Sequence, residues 1–138
     1  AEANLTASGK DAKGTVFVLG PADDDCARSL SDTFRADADV KTLYLTGADG
    51  VEASVQYIID GKQSMTVYKD PGALVDATLN ICDAVLKGQK YPADTAYNND
   101  VMDVPAVQCG VVTVTTDNIA KVFFEGGVYD GSKYTGWK

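Results

Sequence analysis

The order of apolar and polar positions along the chain predicts alternating strands and helices. Apolar runs of strand length occupy residues 16–19, 40–45 and 65–68, and the first is the continuous type expected of a strand buried on both faces. After each run, apolar residues recur at the spacing of one helix face. Three successive βα units favour an α/β fold with a parallel sheet flanked by helices.

Aspartates mark where the three predicted helices begin. Asp24 or Asp25 is a suitable N-cap for the first helix, Asp49 opens the second, and Asp70 followed by Pro71 starts the third. The residues predicted to face inward are, helix by helix, Ala27, Leu30 and Phe34; Val51, Val55, Ile58 and Ile59; and Leu74, Thr78, Ile81, Cys82 and Val85.

The pattern loses its βα alternation after the third helix. Residues 89–103 are rich in Asn, Asp and Tyr, which predicts a loop with or without short extended pieces. Residues 104–114 indicate extended structure, and Thr116 or Asp117 is a suitable cap for a last short helix. We expect the Gly- and Tyr-rich tail at residues 126–138 to be docked or disordered rather than to form an aromatic stacking platform.

The composition of the chain argues against several classes of function. The chain has 138 residues, 45% of them apolar, which suits a single domain. Its net charge of −8 argues against a nucleic-acid partner, because phosphate backbones require clustered Lys and Arg. The sequence contains no histidine, no pairing of a nucleophile with a base, and no glycine-rich phosphate-binding motif. We therefore expect neither enzyme activity nor a cofactor.

The three cysteines form neither a metal-binding nor a redox motif. Cys26, Cys82 and Cys109 are widely spaced, and the odd count leaves at least one thiol unpaired. Because Cys82 and Cys109 fall within apolar runs, buried free thiols are favoured over a disulfide.

Charged side chains at the predicted strand ends indicate a ligand site. Asp23, Asp49 and Lys69 each follow a strand, and the carboxyl ends of parallel strands are where α/β folds bind ligands. Carboxylates accept hydroxyl protons and an ammonium donates protons, which suits an uncharged ligand with several hydroxyl groups. The structural alternatives are a helix cap for Asp49, a solvated charge for Lys69, and a solvated helix start, favoured over a calcium site, for residues 23–25.

Several motifs, in order, resemble the C-terminal part of the periplasmic sugar-binding proteins of ABC transporters. They are Leu45-Thr-Gly-Ala-Asp-Gly-Val-Glu-Ala53, Ile59-Asp-Gly-Lys-Gln-Ser-Met-Thr-Val-Tyr-Lys-Asp-Pro71, Ala93-Asp-Thr-Ala-Tyr-Asn-Asn99 and Asp103-Val-Pro105. Within that family the chain is most similar to the xylose-binding and multiple-monosaccharide-binding branch. The resemblance implies a partial type I periplasmic-binding-protein fold, in which two α/β lobes joined by three crossing strands close on a sugar.

The resemblance also implies roles for individual residues. The aspartate of the family's Thr-Gly-x-Asp motif binds sugar hydroxyls, and it falls on Asp49. The lysine of Thr-Val-Tyr-Lys is a ligand contact in the xylose-like branch and falls on Lys69. A third family contact is the asparagine of a Pro-Asn-Asp-Gly-type segment. The corresponding run here, Pro21-Ala-Asp-Asp-Asp25, has one extra residue and places Asp23 at that position.

The same resemblance implies an organisation of the chain. Residues 1–63 would hold the last βα units of the C-terminal lobe, residues 64–104 the returning segment of the N-terminal lobe, and residues 105–138 a hinge-crossing strand and the tail. The opening units of the first lobe have no counterpart in the chain. We therefore expect exposed sheet edges and a homodimer or swapped assembly.

The implied function is the solute-binding component of a sugar ABC transporter. Such a protein binds a xylose-like monosaccharide between its lobes and is recognised by a membrane permease. The implied location is periplasmic or extracellular, with a lipid anchor in a Gram-positive cell. The alternatives are a sugar-sensing regulatory or receptor domain of the same fold and, third, a flavodoxin-like enzyme.

Overall fold

The computed structural model of the chain describes residues 2–7 and 11–137. Its helices and strands follow one another as α1 (Glu2–Ala7), β1 (Gly14–Val18), α2 (Asp24–Ala36), β2 (Val40–Leu45), α3 (Glu52–Ile59), β3 (Thr66–Lys69), α4 (Pro71–Leu86), β4 (Thr95–Asn98), β5 (Asp103–Ala106) and β6 (Val111–Val114). A π-helical turn at Ala120–Phe124 and a 3-10 turn at Gly131–Lys133 follow. None of the described helices has the length and apolar composition needed to cross a bilayer.

The chain divides into two compact units. Unit 1 consists of Ala1–Tyr68 and Val112–Lys138, and unit 2 of Lys69–Val111. Unit 1 is therefore built from two separate segments, whereas unit 2 is continuous. The assignment of residues 1–63, 64–104 and 105–138 to lobes of a longer protein stays a prediction.

The first layer of unit 1 is the parallel pair of β1 and β2 covered by α2. The register sets Val16 opposite Leu43 and Val18 opposite Leu45. One face of the pair packs against α2 in a core that includes Ala27 and Phe34. The two helix residues lie on one face of α2 because they recur at helical spacing, as the sequence predicts.

The prediction that the first strand is buried on both faces is wrong. Phe17 is 65% exposed and Leu19, just beyond β1, is 75% exposed. The Phe17 ring instead stacks on Tyr44, with 4.9 Å between ring centroids. The physical reason is that α2 covers one face of the pair, and the side chains that alternate to the other face remain accessible.

A second core of unit 1 joins α3 to the C-terminal segment. Val55 and Ile58 of α3 pack with three fully buried partners, which are Val114, Ile119 and Phe123. Tyr129, Tyr134 and Trp137 pack around this cluster, so the tail is docked. The predicted cap at Thr116 or Asp117 is wrong, because the π-helical turn begins after Ile119 without a side-chain cap.

Unit 2 consists of α4 and a hairpin. β4 and β5 pair antiparallel from Thr95 opposite Ala106 to Asn98 opposite Asp103. β4 lies within the segment expected to be a loop with or without extended pieces, and β5 falls mainly in the segment expected to be extended. The predicted inward face of α4 is wrong, since Leu74 and Val85 are both more than half exposed and Ala84 is the buried residue of the helix. One helix and one hairpin are too little chain to enclose a core.

The cysteines are free thiols, as predicted, but the prediction that Cys82 and Cys109 are buried is wrong. Cys82 is exposed and Cys109 is half-buried. Cys82 is accessible because α4 is little covered, with Ala84 as its buried residue.

Candidate functional site

The loops that follow β1 and β2 meet at one edge of unit 1. The backbone N–H of Asp24 donates to the carbonyl oxygen of Ala48 at 2.9 Å, which ties the neighbours of Asp23 and Asp49 to each other. Asp23 is half-buried and Asp49 is exposed. The structure thus brings two of the three predicted site residues to the same sheet edge, as parallel strands require.

Asp23 is held as the N-cap of α2. Its backbone is extended, and its Oδ1 accepts a hydrogen bond from the N–H of Cys26 at 2.8 Å. This bond is the main reason that the pKa of Asp23 is lowered. The predicted caps, Asp24 or Asp25, are one and two residues too late, because the helix begins at Asp24. The Asp23 carboxylate is therefore ionised and oriented by the helix terminus.

Asp49 has an unusual backbone conformation. Its φ is 88°, in the left-handed region that few residues other than glycine adopt. Its N–H donates to the carbonyl oxygen of Val67 at 2.8 Å. The prediction that Asp49 opens the next helix is wrong: α3 starts at Glu52, and its N-cap is Val51 without a side-chain hydrogen bond. The backbone of Asp49 is therefore held by the loop, and its position does not come from a role as the helix N-cap.

Sequence reasoning missed a buried carboxylate, Asp24. Its side chain is fully buried. Oδ1 accepts from Nε2 of Gln63 at 2.8 Å, and Oδ2 accepts from the N–H of Val51 at 2.8 Å and from Oγ1 of Thr66 at 3.0 Å. Helical spacing could have predicted this burial, because Asp24 lies three residues before buried Ala27 and thus on the inward face of α2.

The same network leaves no room at Gly47. A Cβ atom there would lie 2.2 Å from Oδ1 of Asp24 and 2.2 Å from Nε2 of Gln63. Both atoms are buried and hydrogen-bonded to each other, so neither side chain can move without breaking the network. The glycine of the Thr-Gly-Ala-Asp motif is thus required by close packing.

Lys69, the third predicted site residue, belongs to unit 2. It is exposed and is the last residue of β3. Together with Asp70, Leu74 and Gln108 it lines a cavity of about 180 Å³ that also involves residues 109–111. Its ammonium can donate up to three hydrogen bonds. Among the described residues, no group of three acidic or cysteine side chains is arranged to hold a metal ion.

Curated sugar-binding proteins match part of the chain, while no protein-family model matches it. The chain is 38% identical to the multiple sugar-binding periplasmic receptor ChvE of Rhizobium radiobacter over 92 residues, which is 64% of this chain and 26% of the relative. It is 31% identical to the D-xylose-binding periplasmic protein of Haemophilus influenzae over 85 residues, 62% of this chain and 26% of the relative. The match spans about a quarter of these relatives' length.

A solved structure extends the similarity to nearly the whole chain. The carbohydrate transporter solute-binding protein from Chloroflexus aurantiacus, in complex with D-glucose, has a TM-score of 0.89 and 47% identity, over 99% of this chain and 40% of that chain. The resemblance to sugar-binding proteins of ABC transporters is confirmed. The fold is a partial type I periplasmic-binding-protein fold, and the coverage is consistent with a match to the C-terminal portion. These relatives are named as binding and transport proteins, in agreement with the prediction of no enzyme activity.

Proposed function

We propose that the chain belongs to the extracytoplasmic solute-binding component of a sugar ABC transporter. The observation that carries this proposal is the meeting of the Asp23 and Asp49 loops at one sheet edge, in a chain 47% identical to a solute-binding protein in complex with D-glucose. Two carboxylates offer acceptors to neighbouring hydroxyl groups, and hydrogen bonds to a charged acceptor are stronger than those to a neutral one.

The proposed ligand is a xylose-like monosaccharide. A neutral sugar presents several hydroxyl groups, each of which donates and accepts a hydrogen bond. Asp23 and Asp49 would accept, and the ammonium of Lys69 would donate. The D-xylose-binding and multiple sugar-binding relatives support this ligand class, and the D-glucose complex makes glucose the main competitor.

The proposed mechanism is a population shift. Sugar would bind a closed arrangement of two lobes more tightly than an open one, and a membrane permease would recognise the closed form. The periplasmic names of the relatives support an extracytoplasmic location, and a lipid anchor in a Gram-positive cell is part of the same proposal.

The first test is calorimetry with xylose, arabinose, ribose, glucose and galactose, on the 138-residue chain and on the full product of its gene. We expect Asp49→Asn to weaken sugar binding by about tenfold or more, because it removes the charge and keeps the size of the side chain. Asparagine also tolerates the left-handed backbone at this position.

The matched control is Asp117→Asn, which removes one exposed carboxylate of the same unit. It is expected to leave sugar affinity unchanged. Equal losses of sugar affinity in both variants would show that the effect comes from net charge and not from a contact between Asp49 and the sugar. Absence of heat with every sugar, for both proteins, would overturn the monosaccharide proposal.

A further inference from the structure

The loop at residues 47–51 is held by its neighbours along its whole length. The carbonyl oxygens of Gly47 and Ala48 accept from the N–H groups of Val67 and Asp24, and the N–H of Asp49 donates to the carbonyl of Val67. Such a set of bonds fixes the left-handed conformation at Asp49, which would otherwise relax because it is unfavourable for a residue with a side chain.

Thr66 connects this loop to the buried Asp24. Its Oγ1 accepts a hydrogen bond from the N–H of Gly50 at 3.1 Å and donates one to Oδ2 of Asp24 at 3.0 Å. The same Oδ2 accepts from the N–H of Val51 at 2.8 Å. Asp24 and Thr66 thus bind the two residues that immediately follow Asp49, and both side chains are fully buried.

Tyr129 holds the loop from the other direction. Its hydroxyl donates to the carbonyl oxygen of Gly50 at 2.8 Å, a contact across 79 residues of sequence. Burial raises the pKa of Tyr129, which keeps the hydroxyl protonated as a donor. Gly50 itself has a φ of 68°, and a Cβ there would lie 2.9 Å from the rings of Phe123 and Tyr68. The rings of Phe123 and Tyr68 therefore pack closely against the loop at Gly50.

We propose that Asp24, Thr66 and Tyr129 are positioning residues for sugar binding, which set the loop at residues 47–51 so that the Asp49 carboxylate is already in place when the ligand arrives. This inference rests on the proposed function, in which Asp49 contacts the sugar. None of the three residues needs to touch the sugar, because their effect passes through the backbone of Gly50 and Val51. Rigid placement raises affinity by removing the entropy cost of ordering the loop on binding.

Two conservative substitutions test the proposal in the full gene product. Tyr129→Phe removes the bond to Gly50 and keeps the ring, and Thr66→Val removes the hydroxyl and keeps the shape. Each is expected to weaken binding of D-xylose or D-glucose, whichever the unaltered protein binds, by about three- to tenfold. Amide hydrogen exchange at Asp49, Gly50 and Val51 is expected to become faster in the sugar-free protein. Thr66→Ser keeps the hydroxyl and is expected to restore both measurements.

The matched control is Tyr57→Phe, which removes a hydroxyl whose hydrogen bond to Asp32, at 3.0 Å, joins α3 to α2 in the same unit. It is expected to lower thermal stability and to leave sugar affinity unchanged. In an Asp49→Asn background, Tyr129→Phe is expected to cause no further loss of affinity, which a general loss of stability would not explain.

The outcomes separate the two proposals. If the unaltered protein binds sugar and Tyr129→Phe and Thr66→Val bind it equally well, the positioning proposal is overturned and the proposed function stands. If the unaltered protein binds no sugar, the proposed function is overturned and the positioning role with it. A loss that persists at the same size in the Asp49→Asn background would also overturn the positioning role.

Discussion

Tyr134 has a buried hydroxyl that forms no hydrogen bond with any of the described residues. Its ring stacks on Phe124, with 5.3 Å between centroids. Burial is the largest of the effects that raise its pKa to about 12, from an ordinary value of 10.0. At the scale of a residue, the ring of Tyr134 therefore stabilises the folded state, whereas its buried hydroxyl lowers the free energy of unfolding.

The pH dependence of stability follows from the direction of that shift. A folded pKa above the unfolded one means that the contribution of Tyr134 is complete below pH 10 and is lost as pH rises towards 12. We expect Tyr134→Phe to reduce this alkaline loss in unfolding free energy, measured by urea titration. At neutral pH the variant is expected to be as stable as the unaltered protein or more stable by up to about 1 kcal/mol.

Tyr91→Phe is the control for this prediction. It removes a hydroxyl that donates to the carbonyl oxygen of Pro105 at 3.2 Å and leaves Tyr134 intact. The alkaline loss is therefore expected to persist. Destabilisation of Tyr134→Phe by more than about 1 kcal/mol at neutral pH would show that the hydroxyl has a partner, because that is the usual net worth of one hydrogen bond.

At the scale of elements, α4 has the best-marked start in the chain. Oδ1 of Asp70 accepts from the N–H groups of Gly72 at 2.8 Å and Ala73 at 3.3 Å, and Pro71 stands at the first helical position. Because α4 buries little surface, its stability depends on such local bonds more than on packing. Capping should therefore dominate the stability of unit 2.

We expect Asp70→Ala to destabilise α4 by about 1 kcal/mol, the usual cost of losing an N-cap side chain. Amide hydrogen exchange of Gly72 and Ala73 is the measurement, because these two groups lose their acceptor. Asp76→Ala is the matched control, since it removes an exposed aspartate from the interior of the same helix. Equal acceleration of exchange in both variants would contradict the capping role.

The strands and helices also show which structural features could be predicted from the sequence. β2 spans Val40–Leu45 as predicted, and α4 starts at Pro71 as predicted, because an uninterrupted apolar run and an Asp-Pro pair are local signals. The inward face of α4 was not predictable, since helical spacing identifies an apolar face and does not supply what covers it.

In the candidate site too, features with a local sequence signal could be predicted and features that depend on distant residues could not. The sheet-edge position of Asp23 and Asp49 followed from the βα pattern. The left-handed backbone of Asp49 did not, because it depends on the bond of its own N–H to Val67 and on the bonds of the next residue, Gly50, to Thr66 and Tyr129, which are distant in sequence. Asp24 was recognisable in hindsight from its helical phase with Ala27.

At the scale of the whole molecule, β1 leaves an open edge in unit 1. Among the described residues it pairs with β2 alone, and the adjacent accessible face carries the stacked rings of Phe17 and Tyr44. Open strand edges beside apolar side chains are sites of pairing between chains. These features support the prediction of a homodimer or swapped assembly of the 138-residue chain, with a second copy at this edge.

Sedimentation velocity over a range of protein concentrations tests that prediction. We expect the 138-residue chain to form a dimer and Phe17→Lys to shift it towards monomer, since a charge on this face opposes strand pairing. Leu86→Lys is the control, because it places the same charge on an apolar residue that is 86% exposed in unit 2. A monomer at every concentration, or equal dissociation by both variants, would contradict a dimer through β1.

The core around α3 has a consequence for protein synthesis. Val55 and Ile58 are buried by Val114, Ile119 and Phe123, and the continuous unit 2 lies between these two groups in the chain. Synthesis proceeds from the N-terminus, so α3 and then all of unit 2 leave the ribosome before the residues that cover α3 have emerged. Until residues 112–124 have emerged, the nascent chain therefore carries an uncovered apolar face, which cellular chaperones are suited to shield.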